Sequence, residues 1–226
     1  AARFAEDAQR AIVNIIARGK RVLLTGGTGL YLRAVLEGIF PDAAGNSDVR
    51  NTLNKRLEEE GSLKLHEELA INDQESAKRI HKNDTQRLLR ALEIFYTTGQ
   101  SWSEHLASHQ QQERSIKFSN VLQLGLTCPR EQLYNRINQR CEEMIKSGLE
   151  AEVRGLLAMG YAKHLKCFGA IGYRHMLNYI NGDWSEEEMS RLLARDTRRY
   201  AKRQYTWFSK IKDLQWMDIA EKDKIL

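Results

Sequence analysis

Only two prolines, Pro41 and Pro129, interrupt 226 residues. A proline inside a helix removes a hydrogen bond and clashes with the preceding turn, so a chain this poor in proline leaves its apolar periodicity free to run as helices. Between its glycines most segments repeat apolar residues at helical spacing, which predicts a helix-rich protein. Strand signals are few and short: Arg21 to Thr25, Asn120 to Thr127 and, more weakly, Leu214 to Met217. Continuous apolar strands flanked by helices are what a parallel sheet covered on both faces produces, so the expected fold class is α/β. Two or three strands make a small sheet for that architecture. The expected first helix, Ala1 to Ala17, also starts without a cap or a preceding strand, as if the fold were entered part-way and N-terminal residues were missing.

Between the two clear strands lies a polar, charged section, Asn46 to Ser115. Its periodic pieces VRNTLNKRLEEEG, SLKLHEELAIND, NDTQRLLRALEIFYTTG and SWSEHLASHQQQE predict successive helices and hence an all-helical insertion. The insertion is expected to end at the glutamine-rich stretch His109 to Glu113, giving three parts: 1–45 core, 46–115 insert, and 116–226 the rest of the core with a basic C-terminal helix.

The strand expected at Arg21 to Thr25 breaks at TGGTGLY. Glycines there allow positive φ or close approach of the backbone to a ligand, and Thr28 can either cap the next helix or offer its hydroxyl and nearby amides to an anion. An ordinary strand-to-helix turn has the same composition, and the phosphate-loop pattern GxxxxGK[ST] is absent from the chain.

Three helical stretches carry arginines in ligand-like spacing. In HKNDTQRLLRALE, Asn83 or Asp84 is placed to cap a helix that sets Arg87 and Arg90 on one face and Leu88, Leu92 and Phe95 on the buried side. Those arginines suit a phosphate, although Glu93, three residues past Arg90, equally suits a surface ion pair worth about 0.3–0.5 kcal/mol. In PREQLYNRINQRCEEMIKSG, Leu133, Ile137, Cys141 and Met144 make the buried stripe while Arg136 and Arg140 stand one turn apart beside it. Like charges at that spacing repel unless an anion, or Glu143 beside Arg140, neutralises them. In SEEEMSRLLARDTRRYAKRQYTWFSK, Ser185 and Glu188 form a capping box. The helix then separates a stripe of Leu193, Thr197, Tyr200, Gln204 and Trp207 from one of Arg191, Arg195, Arg198 and Lys202, with Arg199 and Arg203 thickening the charge. A basic helix interleaved with aromatics suits a nucleic-acid backbone with stacked bases.

Charge agrees with a polyanionic partner without demanding one: 35 Lys and Arg stand against 30 Asp and Glu. The longest apolar run is well below the roughly 20 residues of a membrane span. Cys128, Cys141 and Cys167 are odd in number and never in CxxC spacing, which argues against a disulfide framework and a zinc site and fits a reducing cytoplasm. His105 and His109 have the i, i+4 spacing of a metal pair, but no HExxH accompanies them, and His81 before the arginine helix reads as structural.

Taken in order over nearly the whole chain, TGGTGLYLRAVLEG, HKNDTQRLLRALEI, RINQRCEEMIKSGLEAEV, AIGYRHM and TRRYAKRQYTWF resemble the tRNA dimethylallyltransferases, also called tRNA isopentenyltransferases. The resemblance implies a P-loop-kinase-like, nucleotide-binding α/β core with an inserted helical domain, in which the adenine beside the anticodon is flipped out to meet dimethylallyl diphosphate. It implies tRNA, through its anticodon stem-loop, as partner, Mg²⁺ as cofactor on the diphosphate, a cytoplasmic monomer and no membrane. By position, Gly26, Gly27 and Thr28 match the substrate-facing GGT, and Arg140 matches the arginine that binds the diphosphate, with Thr28 and Arg140 on the catalytic side. Arg50, Gln86, Arg87, Arg90, the stretch with Gly172, Tyr173 and Arg174, and Arg198, Lys202 and Arg203 match tRNA contacts. The family's GPTxSGKT loop and the aspartate that takes the proton from N6 belong upstream of Ala1, a deficit on the order of 60–90 residues that is expected to leave this chain alone inactive. A tRNA-binding paralogue without activity and a nucleotide kinase are the other readings, the latter weakened by the absent phosphate loop.

Overall fold

A computed structural model describes residues 1–38, 46–111 and 118–220. Pro41, the expected domain boundaries near 45 and 115, and the side chains of His109 and the glutamines after it lie outside the described residues. The chain divides into two compact units, Ala1–Ser119 and Asn120–Leu226.

In the first unit, α1 (Ala2–Ala17) buries Ala5 and Ile12 against Ala34 and Val35 of α2 (Gly29–Leu36). Phe4 stacks on Tyr31 at 4.6 Å between ring centres, tying the two helices at one end. The connecting segment Arg21 to Thr25 is not a strand. A strand exists only through the ladder it shares, and no strand pairs with this segment among the described residues; Val22 packs on the α1–α2 cluster while Leu23 stands 85% exposed.

The helical part follows its periodic pieces. α3 (Ser47–Asn72) starts at Asn46, whose side chain accepts from the amides of Asp48 and Val49, and kinks at Gly61 (φ 81°, ψ 164°), where the first two pieces met. α4 (Gln74–Arg79) was not foreseen, being too short to show a period; Asp73 caps it by accepting from Ser76 N at 2.9 Å. α5 (Thr85–Thr98) is capped by Asp84 and ends on left-handed Gly99, and α6 (Trp102–Gln111) follows. Leu53, Leu65 and Leu69 of α3 meet Leu88, Leu89 and Leu92 of α5 in one core. Burying each such leucine is worth about 1.5–3 kcal/mol, which is what holds these charge-rich helices together.

In the second unit β1 (Gln123–Thr127) pairs in parallel with β2 (Leu214–Asp218), Gln123 opposite Leu214 and Thr127 opposite Asp218. The connection runs through α7 (Arg130–Lys146), α8 (Leu149–Ala158), a 3₁₀ turn (Lys166–Gly169), α9 (Tyr173–Ile180) and α10 (Glu186–Phe208). Ile137, Cys141, Val153, Phe168, Met176, Met189 and Leu193 form their shared core. The sheet is covered on one face only. Tyr205 of α10 stacks on Trp216 at 5.4 Å and its hydroxyl meets Thr127 Oγ1 at 3.1 Å, whereas Leu124 and Leu126 on the other face of β1 are exposed. The expected burial on both faces is corrected accordingly: among the described residues the sheet has two strands and a single layer of helices on it.

Candidate functional site

In the first unit Thr28 occupies the N-cap position of α2 in an extended conformation (φ −91°, ψ 92°), yet its side chain makes no capping bond. The hydroxyl is therefore open beside the amides that begin the helix, the arrangement an anion requires. Gly26 does not use the left-handed freedom expected of it, and a Cβ there would meet nothing within 4 Å. The chain's own packing does not demand glycine at this point, which leaves close approach of a ligand as the physical use of the missing side chain.

Arg50, Gln86, Arg87 and Arg90 gather around the start of α5. Glu93, buried to 7% side-chain exposure, accepts from Arg50 Nη1 at 3.0 Å and faces Arg90 Nη1 at 3.2 Å through the same oxygen. The ion pair weighed from the sequence for Arg90 thus exists, but it also reaches 43 residues back to Arg50, a link that no local spacing could reveal. Arg87 is exposed and pairs with the capping Asp84 at 3.3 Å, and Gln86 is exposed beside it. Among the described residues, Arg50 of α3 and Arg87 and Arg90 of α5 thus bring three guanidiniums beside the carboxylates of Glu93 and Asp84.

In the second unit Arg136 and Arg140 are both exposed on α7, and among the described residues no carboxylate pairs with either. Glu143 does not neutralise Arg140, so among the described residues the repulsion between the two arginines stays uncompensated. An anion at this face is favoured by whatever repulsion it removes.

The AIGYR stretch enters α9 through Gly172, whose φ of 101° and ψ of −72° suit glycine alone. That turn carries Tyr173 to Glu152, with which its hydroxyl bonds, and Arg174 to Asp196, Nη2 to Oδ2 at 2.8 Å. Asp196 also receives His175 Nε2 at 3.2 Å and Arg195 Nε at 2.9 Å, with Arg199 at 3.8 Å. Gly172 N approaches His175 Nδ1, which leaves Nε2 as the protonated nitrogen donating to Asp196. Burial pushes the His175 pKa below its ordinary value, outweighing the attraction of Asp196. Burial raises the Asp196 carboxyl, but the bond and charge of Arg195 with the bond of His175 bring it lower on balance.

Along α10 the charge is uneven. Arg191 is held by Glu188 through two bonds of 2.7 Å, so Glu188 does not complete the expected capping box although Ser185 does cap through Glu188 N. Arg198, expected on the solvent stripe, is instead half-buried, bonded to Asn138 Oδ1 and lying over the Tyr134 ring at 5.9 Å. Tyr200, expected on the buried stripe, is exposed with Arg203 above its ring at 5.6 Å. Further along, Lys202, Arg203 and Lys210 join Arg199, the outermost partner of Asp196, and Trp207 in lining an open groove with no carboxylate in its lining. Cationic walls around an aromatic are what a nucleic-acid strand requires.

No group of three His, Cys, Asp or Glu able to hold a metal occurs among the described residues. His105 Nε2 meets Thr98 Oγ1 at 2.9 Å, and His81 Nδ1 accepts from Asn83 N at 3.2 Å, both local structural roles. No helix among the described residues is long and apolar enough to cross a membrane.

The IPP transferase family model matches residues 1–211. The chain belongs to the IPP transferase family. Among its relatives, the tRNA dimethylallyltransferase of Desulfotalea psychrophila is 50% identical over 226 residues, all of this chain and 71% of the relative. That of Geobacter metallireducens is 43% identical over 227 residues, covering 100% of the chain and 72% of the relative. Among solved structures, the full-length tRNA isopentenylpyrophosphate transferase from Bacillus halodurans aligns over 95% of this chain and 65% of its own, at 36% identity and a TM-score of 0.60. A eukaryotic dimethylallyltransferase acting on tRNA aligns over 96% of this chain and 56% of its own, at 26% identity and a TM-score of 0.73. This IPP transferase chain thus spans about two thirds of the solved bacterial enzyme it resembles.

Proposed function

We propose that the protein is a tRNA dimethylallyltransferase, moving a dimethylallyl group from its diphosphate to N6 of the adenine beside the anticodon. The 50% identity over all 226 residues with a relative of that name carries this reading. The geometry supports it in two places: the uncompensated arginines of α7, which suit a diphosphate, and the acid-free groove of α10, which suits an RNA strand.

In this reading N6 of the flipped adenine forms a bond to C1 of the prenyl group as the C1–O bond breaks. The diphosphate departs with the electron pair, and the proton of N6 passes to a carboxylate base, the role an aspartate has in the family. Arg140 holds the leaving group as its charge grows, and Thr28 with Gly26 and Gly27 lines the approach to the reacting groups. Unstacking the adenine costs a few kcal/mol, less in a loop than in a duplex. Cationic contacts by Arg50, Arg87, Arg90, Arg174, Lys202 and Arg203 with the rest of the anticodon stem-loop offset it. Residues 46–115 act as a helical insert in a P-loop-kinase-like core, and the protein works in the cytoplasm as a monomer. Mg²⁺ bound with the diphosphate would supply charge neutralisation there beside Arg140.

The test is incubation with tRNA, dimethylallyl diphosphate and Mg²⁺, followed by digestion to nucleosides. Prenylated adenosine from the anticodon loop is the expected product. Tight tRNA binding with no transfer by the intact protein would replace this reading with that of a tRNA-binding paralogue.

A further inference from the structure

Beside the 3₁₀ turn of the second unit lies a concavity that no motif marks. Its floor is Phe168 and Leu177, and its rim carries Lys163, His164, Lys166 and Arg174, with no acidic residue in its lining. Lys163, His164 and Lys166 are exposed and precede the AIGYR stretch, and nothing in residue order singles them out.

Two features distinguish this place from a scatter of solvated lysines. Lys163 Nζ donates to the neutral side chain of Asn181 at 2.5 Å, which fixes the ammonium without cancelling its charge. Arg174 is fixed from behind by Asp196, the single carboxylate that also meets Arg195 and Arg199, so that one negative charge faces three guanidiniums and the surroundings stay positive. Cations held in place before binding lose less conformational freedom when they grip an anion.

We propose that this concavity is a binding site for one backbone phosphate of the RNA substrate, held by Lys163, Lys166 and Arg174. The proposal rests on the tRNA reading above and extends it from Arg174 to Lys163 and Lys166, which the family resemblance does not include. It places RNA on the turn side of α9, so the strand is gripped at both ends of the Arg174–Asp196 link rather than on α10 alone.

The experiment is tRNA binding by the full chain across a salt series, with Lys163→Ala, Lys166→Ala and the double variant, alongside steady-state kinetics on the donor. Both lysines are exposed, so the melting temperature should not move, and charge reversal by Lys166→Glu serves as a second, stronger probe. The expected result is a several-fold weaker affinity and a log–log salt slope shallower by about 1 in the double variant, with each single variant giving most of that change because they share one phosphate. KM for dimethylallyl diphosphate stays unchanged. An unchanged slope overturns the site, as does a slope loss that simply adds between the two lysines, which marks independent solvated charges. A parallel rise in donor KM overturns it in favour of a diphosphate site. If the unmodified protein binds no tRNA, the functional reading itself has failed and the site falls with it; if it binds and prenylates while the variants match it, only the site has failed.

Discussion

Glu93 shows how one residue fixes several others. Its carboxylate is nearly enclosed, while the arginines on it, Arg50 and Arg90, are 34% and 23% exposed, so the guanidiniums are steered by a group that solvent barely reaches. Replacing Glu93 by Ala leaves two aligned cations without their common acceptor. We expect a loss of about 1–3 kcal/mol in urea unfolding together with weaker tRNA binding. Arg87→Ala, on an exposed pair, should weaken binding with little change in stability, and equal destabilisation by both variants would show that Glu93 has no special role. His175 yields a pH prediction. Its fully buried ring faces Asp196 from α10, with Arg174 and Arg195 nearby, and its pKa lies below the ordinary 6.5. The unfolded chain therefore binds the proton more readily, so this contribution is complete above about pH 6.5 and is lost as pH falls through and below that value. Urea midpoints should drop between pH 7 and pH 5 and drop less in His175→Gln. A rise in wild-type stability over that interval would mean that attraction to Asp196 outweighs burial.

Among the elements, α4 and the start of α6 are joined through a single side chain. Asp73 is 4% exposed; Oδ1 accepts from Ser76 N to cap α4 and from Ser103 Oγ at 2.7 Å, while Oδ2 accepts from Ser103 N at 3.0 Å at the start of α6. Burial alone would raise this carboxyl, yet the bonds from Ser76 and Ser103 hold it below the usual range. Asp73→Ala removes a cap and leaves buried donors unmet, so about 2–4 kcal/mol should be lost in chemical denaturation, with the helical unit affected first by hydrogen exchange. A loss no larger than that of Asn46→Ala, an exposed cap, would reduce Asp73 to capping alone. The same elements show what could be read from residue order. Helices with two or more turns of apolar period were legible, including the break at Gly61, because the pattern that buries a helix is written along it. α4 was not, since six residues hold no period, and neither was the fate of Arg21 to Thr25, since a strand is defined by a partner distant in sequence.

Across the molecule, the functional residues were legible as types and largely illegible as charges. Arg136 and Arg140 and the cations late in α10 could be listed from sequence, but which arginines are already spent depends on folding. Arg191 is held by Glu188, and Arg174, Arg195 and Arg199 share Asp196, so the free positive surface is narrower than the 35 Lys and Arg suggest. This distribution separates two jobs that net charge would merge. In the proposed reaction Arg140 serves a compact, multiply charged leaving group, whereas Lys202 and Arg203 serve a groove for an extended strand. Arg140→Ala should raise KM for dimethylallyl diphosphate and lower kcat while leaving tRNA affinity and its salt slope near those of the wild type. Lys202→Ala should do the reverse, making the salt slope shallower by about 1 with donor KM unchanged. Both are exposed, so neither change should disturb the melting temperature, and the comparison is not confounded by unfolding. If Arg140→Ala weakens tRNA and donor equally, the arginine is one more contact in a continuous cationic surface. If the two variants diverge as described, the fold has divided its positive charge between holding the substrate and stabilising what leaves it.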